Sequence, residues 1–300
     1  MNVLQVDKLT KSYGDKKVVD EISFQVNRGE IFGFLGPNGA GKSTTIEIIA
    51  GLKKADGGKV TVADFPSHSN TTSSIGVQLQ STDLYKELTV KETLLLFLNF
   101  HNRSHVLDEY IELTKLQQVL DTKVKHLSGG QRQRLSLSLA LVADPEIVIL
   151  DEPTVGLDPQ SRRTLWGVIQ SLKDRGKTVI LTTHFMDEAE ELCDRIAIID
   201  HGRLIALDTP VGLLESIPYG HTLTVTTEPQ ITESELKDLK YESIHFSDSD
   251  TIIHTAQFTE TLSGLLQITE QNQMEVTSLK LKNAGLEELF LLLTGKELRD

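Results

Sequence analysis

Apolar and polar residues alternate over residues 3–9 (VLQVDKL) and 22–26 (ISFQV), the period-two pattern of strands with one buried face. A small antiparallel sheet is therefore expected to open the chain. After the turn signal Asn27-Arg28-Gly29, the run IFGFL is apolar throughout, as a strand buried on both faces requires. It leads into a glycine-rich loop and then STTIEIIAGL, read as a helix closed by Gly51. Further buried strands are expected at 147–150, 178–182 and 195–199. Helical patterns at 161–173 and 186–193 separate them, the order that builds a parallel α/β sheet. From Asp83 to Ala143 the apolar spacing is helical almost throughout, so an inserted helical subdomain is expected over about 83–143. Beyond about Ile205, expected strands at 222–227, 251–256 and 275–281 alternate with helices near 232–239, 259–270 and 285–294. The pattern thus predicts an α/β domain over residues 1–215 and a smaller α+β appendage over 216–300.

The longest apolar runs, such as Leu94 to Leu98 and Leu289 to Leu293, fall far short of the roughly 18 to 20 residues a membrane helix needs. The chain is not expected to span a bilayer itself. Its opening residues, MNVLQVDKLTKSYG, show a lysine-bearing alternation in place of the apolar core of a secretion signal, which predicts a cytosolic location. The one cysteine, Cys193, allows no internal disulfide and is read as a small buried residue on a helix face. The formal charge of -13 is concentrated in the tail, where residues 206–300 carry 16 acidic and 6 basic side chains. Such acidity repels phosphate backbones and anionic lipid, so no direct binding of nucleic acid is expected.

Residues Gly36 to Ser43 spell GPNGAGKS, a full match to G-x-x-x-x-G-K-[ST] placed between a buried strand and a helix. Backbone N–H groups of such a loop converge on one point, where the helix end adds its positive dipole. Lys42 then supplies a mobile charge for the β and γ phosphates of a nucleotide, and the Ser43 hydroxyl a ligand for Mg²⁺. The run IVIL followed by Asp151 and Glu152 puts two carboxylates at the carboxyl end of a buried strand, the edge where α/β sheets bind ligands. Alone, this would be an ordinary solvated strand end. Beside a phosphate loop, Asp151 suits the magnesium, and Glu152 suits acceptance of a proton from attacking water.

LSGGQ at Leu127 to Gln131 opens a second helix with a small-residue N-terminus, in which Ser128 is a natural N-cap and Gly129 and Gly130 expose N–H groups. The chain therefore carries two helix ends suited to phosphate. One nucleotide is already cradled by the first.

Taken together, GPNGAGKST, LSGGQRQR, IVILDEPTVGLDP and LTTH make residues 1 to about 215 resemble the nucleotide-binding subunit of ATP-binding cassette (ABC) transporters. The resemblance implies a P-loop NTPase core with an N-terminal antiparallel β subdomain and a helical insertion. It implies ATP hydrolysis with Mg²⁺ and a homodimer or paired ATPase subunit, in which Ser128, Gly129, Gly130 and Gln131 of one copy close over the nucleotide held by Gly36, Pro37, Asn38, Gly39, Ala40, Gly41, Lys42, Ser43 and Thr44 of the other. It also implies an integral membrane permease as partner, with the chain peripheral on the inner face of the cell membrane. By the same resemblance Gln80 senses magnesium and attacking water, with Gln78 a nearby competitor; His184 contacts the γ-phosphate; Asp158 bridges the two sites; and Tyr13 stacks on adenine. HFMDEAEELCDRIAIIDHGRLIALDTP and the ending GLEELFLLLTGKELRD resemble the branch of two-component (ABC-2 type) exporters of drugs, antibiotics or other hydrophobic compounds. Two other readings compete. A soluble cassette ATPase of DNA repair or translation would carry a coiled coil, a zinc module or a second cassette, none of which is visible. A small-molecule kinase would leave LSGGQ and Gln80 without a task.

Overall fold

The alternating N-terminal segments form strands β1 (Asn2–Tyr13) and β2 (Lys16–Asn27), each with one buried face. The wholly buried β3 (Ile31–Leu35) follows, then helix α1 (Lys42–Ile49), and β4 (Gly57–Val62) returns to pair antiparallel with β1. This gives a three-stranded antiparallel sheet in the order β2-β1-β4. The structure is a computed structural model in which residues 2–62, 75–80, 84–247 and 249–295 are described. Residue 83, where the helical insertion is expected to begin, lies outside them.

Strand β5 (Ile75–Gln78) precedes the helical segment, which holds α2 (Val90–Phe100), α3 (Leu107–Leu113) and α4 (Gly129–Leu141). Leu94, Leu116, Val124 and Leu135 bury together there as a small core of their own. The chain then alternates β6 (Ile147–Asp151), α5 (Pro159–Asp174), β7 (Thr178–Thr183), α6 (Met186–Leu192), β8 (Arg195–Asp200) and β9 (Arg203–Asp208). A six-stranded sheet results, in the order β5-β6-β7-β3-β8-β9, parallel except for the antiparallel edge strand β9. Its strand order sets the carboxyl ends of β6, β7 and β3 side by side. That is the edge from which ligand-binding loops leave α/β sheets.

The main core lies between this sheet, α1 and the antiparallel sheet, and it includes a cluster of Phe24, Phe32 and Phe34 with ring centroids 5.1 to 5.4 Å apart. Aromatic side chains bury a large apolar area and prefer offset or edge-to-face packing, the geometries seen here. No described helix is long and apolar enough to cross a membrane.

The chain divides into two units at Pro210/Val211, so the short helix α7 (Pro210–Glu215) falls almost wholly in the second. That unit contains β10 (His221–Glu228), β11 (Ser243–Phe246), β12 (Asp250–Thr255), α8 (Phe258–Gln271), β13 (Glu275–Asn283) and α9 (Leu286–Thr294). Its antiparallel sheet has the order β11-β12-β10-β13, and Leu223, Val225, Ile253 and Leu265 build its separate core. The helix expected near 232–239 is not formed. Residues there make successive turns, with bonds from Glu235 N to Thr232 O and from Leu239 N to Leu236 O. Four-residue turns suffice to bring Ile231, Leu236 and Leu239 into the core, and the Thr232 N–H and hydroxyl are tied to the Glu235 carboxylate rather than to a helical ladder. Cys193 is also displaced from its expected place. It follows α6 in extended conformation and is buried, where its Sγ would stand 2.5 Å from any Cβ placed on Gly33. Burial pushes its thiol pKa well up, which makes it a packing residue.

Candidate active site

The loop of residues 36–43 joins β3 to α1, and its shape depends on Gly41. That residue has φ +104, and a Cβ on it would lie 2.4 Å from the Val18 carbonyl oxygen. No other residue fits both demands. Ala40 N donates to Pro37 O at 3.1 Å and Gly202 N to Ala40 O at 2.9 Å, which closes the turn and ties it to the β8–β9 hairpin. Lys42 is 4% exposed, and its ammonium donates to the carbonyl oxygens of Gly36 (2.8 Å) and Pro37 (3.2 Å). Burial lowers its pKa, and the nearby Glu152 carboxylate works against that shift.

The carboxyl end of β6 supplies the acids. Asp151 Oδ1 accepts from the Ser43 hydroxyl at 3.1 Å and from the Thr182 hydroxyl at 2.6 Å. Burial raises its pKa, opposed by those two hydrogen bonds. Glu152, also buried, has φ +47, a left-handed backbone uncommon for any residue but glycine and asparagine. Its N–H is held by the Thr182 hydroxyl (3.0 Å) and carbonyl (3.2 Å), so the neighbouring strand maintains the strained turn. Around its carboxylate converge Lys42 Nζ at 3.4 Å, Gln80 Nε2 at 3.2 Å and His184 Nδ1 at 3.4 Å. One carboxylate oxygen thus faces a cation and an imidazole while the other is oriented by an amide. This arrangement can accept a proton from water held between these groups.

A cavity of about 230 Å³ is lined by Asn38, Gly39, Gly41, Lys42, Ser43, Thr44, Gln80 and Glu152, with Val18 at its side. Of the two candidate glutamines, Gln80 is the one that reaches it. Gln78 is 1% exposed and bonds Gln133 instead. Ser128 caps α4 in a reciprocal box with Gln131: Gln131 N donates to Ser128 Oγ at 3.3 Å, and Ser128 N to Gln131 Oε1 at 2.9 Å. Gly129 lines a different cavity, of about 350 Å³, with Gln80, Val155, Gly156 and Leu157. The two helix ends therefore do not share one cavity within the chain. Asp158 caps α5, accepting from Gln160 N, Ser161 N and the Ser161 hydroxyl, and these bonds hold its carboxyl below the usual range. Tyr13 is 47% exposed, with Lys11 and Lys53 ammonium groups 5.6 and 5.7 Å from its ring centroid, and it does not line the loop cavity.

One residue that organises this site escapes sequence reasoning. Thr182 holds Asp151 and Glu152 together, although its only sequence signal is its place in LTTH.

A family model described as "ABC transporter" matches residues 19–155. The linearmycin resistance ATP-binding protein LnrL of Bacillus subtilis (strain 168) is 37% identical over 312 residues, which cover 99% of this chain and all of that protein. The Nod factor export ATP-binding protein I of Paraburkholderia xenovorans (strain LB400) is 37% identical, over 99% of this chain and 98% of its own length. Among solved structures, a dimeric ATP-binding cassette in a post-hydrolysis state bound to ADP and Pi superposes with TM-score 0.62 at 26% identity, covering 69% of this chain and 98% of that one. Full-length likeness to named ATP-binding subunits and a cavity built from the phosphate loop and buried carboxylates lead to one conclusion: the chain belongs to the ABC transporter family, as an ATP-binding and ATP-hydrolysing subunit.

Proposed function

We propose that two copies of this chain, or this chain and a paired ATPase subunit, close head-to-tail around two Mg-ATP and drive export through a separate integral membrane permease. The observation that carries this reading is the division of phosphate-binding ends between two cavities. Lys42, Ser43 and Glu152 line one and Gly129 of the LSGGQ helix lines the other, with Gln80 on the wall of both. A nucleotide on the GPNGAGKS loop meets an LSGGQ helix only from a second molecule. The names of relatives given to resistance and export support the direction of transport. On this reading the protein sits at the inner face of the membrane, held there by the permease.

The donor set fits magnesium without a dedicated protein cage. No group of three or more His, Cys, Asp or Glu among the described residues is arranged to hold a metal ion. Magnesium commonly takes one or two protein oxygens, several waters and substrate phosphates, and Ser43 and Asp151, 3.1 Å apart, with Gln80 beside them, would supply the protein share. When bound, the ion neutralises charge developing on the phosphates. Lys42 binds the β and γ phosphates, Gln80 and His184 orient the water, and Glu152 takes its proton. Asp158 and the capped α4 end form the facing surface, and Tyr13 receives the adenine.

The test is Glu152→Gln, which keeps shape and removes only the proton acceptor. Hydrolysis should fall roughly 100-fold to 10,000-fold with ATP binding retained. Light scattering behind size-exclusion chromatography should then show an ATP-dependent dimer, because ATP stabilises the closed form. A second variant, Glu152→Gln with Ser128→Arg, should stay monomeric. Monomers in both cases would sink the sandwich reading.

A further inference from the structure

Strands β8 and β9 are joined by a turn of His201 and Gly202 alone, since Asp200 pairs directly with Arg203. Both turn residues have left-handed backbones, with φ +46 and +77, the geometry that suits the twist of a tight hairpin. In such a turn the N–H and carbonyl of the second residue take no part in the strand ladder. Gly202 is buried, so both groups need partners from elsewhere in the chain. Its N–H donates to Ala40 O of the phosphate loop at 2.9 Å, and its carbonyl accepts from Asp20 N of β2 at 2.8 Å.

The packing around this peptide is backbone on backbone. A Cβ on Gly202 would stand 2.6 Å from Val18 O and 2.9 Å from Val18 C. From the loop, a Cβ on Gly41 would stand 2.4 Å from the same Val18 oxygen and 3.6 Å from Gly202 Cα. At the start of the loop, a Cβ on Gly36 would lie 2.2 Å from Ile199 O of β8. The phosphate loop is thus seated between β2 and the hairpin, with no side chain in between that could rotate to take up a shift. Arg203 Nε also bonds Asp20 Oδ2 at 2.7 Å, but Arg203 is 70% exposed, and such surface pairs contribute little. The close backbone contacts set the spacing.

We propose that Gly202 is a positioning residue for nucleotide binding: its peptide is the strut that holds Ala40, and with it the N–H groups of the phosphate loop, at a fixed distance from β2. It acts through Ala40 and Gly41 and does not line the nucleotide cavity itself. The role rests on the reading of GPNGAGKS as the seat of the phosphates and adds the element that keeps the seat in shape.

The experiment uses the full chain with Gly202→Ala beside Gly176→Ala and Lys42→Ala. Gly176, between α5 and β7, has φ +79 and nothing within 4 Å of an added Cβ, so alanine there repeats the backbone strain without the contact. Gly202→Ala should weaken Mg-ADP binding in calorimetric titration and raise KM for Mg-ATP, each at least about tenfold, because a displaced loop loses several phosphate contacts together. Its kcat at saturating ATP should change less than about threefold, the pattern of lost uniform binding. Gly176→Ala should lower the urea midpoint through strain and leave ADP affinity and KM at wild-type values. Normal ADP affinity in a folded Gly202→Ala protein overturns the proposal, and so does activity lost through kcat alone. An equal loss of affinity in Gly176→Ala overturns it too, since strain anywhere would then suffice. Where Gly202→Ala does not fold, a glycine inserted between His201 and Gly202 gives a three-residue loop, a length hairpins accommodate, and draws the Gly202 N–H away from Ala40. Unchanged ADP affinity there counts equally against the strut. Weak binding by Lys42→Ala with normal binding by Gly202→Ala sinks only this inference, whereas wild-type binding by Lys42→Ala sinks the reading of the loop beneath it.

Discussion

Lys42 shows how a single side chain is prepared by its surroundings. Its ammonium is withdrawn from water and held by two loop carbonyl oxygens and the Glu152 carboxylate, so its charge sits at the mouth of the phosphate loop. Burial and the carboxylate pull its pKa in opposite directions, and burial prevails. A charged hydrogen bond contributes roughly 1.5 to 3 kcal/mol, so Lys42→Ala should weaken ATP binding about tenfold to 150-fold. Fluorescence titration of a variant with unchanged circular dichroism measures this, and unaltered affinity would remove Lys42 from the phosphate site. The loop containing Lys42 is plain in the sequence because its glycines, lysine and serine are contiguous. Thr182 is obscure because it meets Asp151 across two strands, 31 positions apart.

At the scale of elements, the LSGGQ helix depends on how closely α4 approaches α5. A Cβ on Gly130 would stand 2.7 Å from Ser161 Oγ and 2.8 Å from Ser161 Cβ, and rotation of the hydroxyl relieves only the first contact. Ser161 in turn donates to the Asp158 carboxylate that caps α5. Gly130→Ala must therefore separate two helix starts and disturb a cap. Overpacking of this kind costs about 1 to 3 kcal/mol, against a helix-propensity gain of up to about 1 kcal/mol. Urea unfolding should show a net loss, and adding Ser161→Gly should relieve the clash. Equal stability of Gly130→Ala and wild type would mean that the two helices have room to spare. Element type follows the apolar period well where burial is extreme, as in β3, β6 and β7. It follows poorly for β4 and β11, whose exposed positions dilute the pattern, and for the turns at 232–239, where apolar spacing serves burial without a helix.

For the molecule as a whole, the acidic unit builds its core from residues of its own, among them Leu223, Ile253 and Leu265, while the loop cavity is lined by residues of the first unit. We propose that it serves assembly or regulation and not chemistry. A chain stopped after Ser216 should bind ATP as tightly as the full protein, while dimer formation or coupling to the permease falls. Calorimetric titration with ATP decides the matter: a folded, soluble truncation that binds no nucleotide would show that the proposed division of labour is wrong.

Sequence alone determined the chemistry wherever the necessary residues are contiguous. The GPNGAGKS loop and the Ser128 cap belong to short segments whose backbone shape follows largely from local sterics and hydrogen bonding, and Asp151 and Glu152 are adjacent in the chain. Tertiary structure decided what contiguity leaves open. It selected Gln80 over Gln78 by turning one toward the loop cavity and the other toward Gln133. It joined Thr182 to the carboxylates, and buried Glu188 with its carboxylate against Trp166. These contacts depend on β6 lying beside β7 and on α6 packing against α5, and such long-range neighbours are set by the burial of the whole core, which no local stretch of sequence specifies.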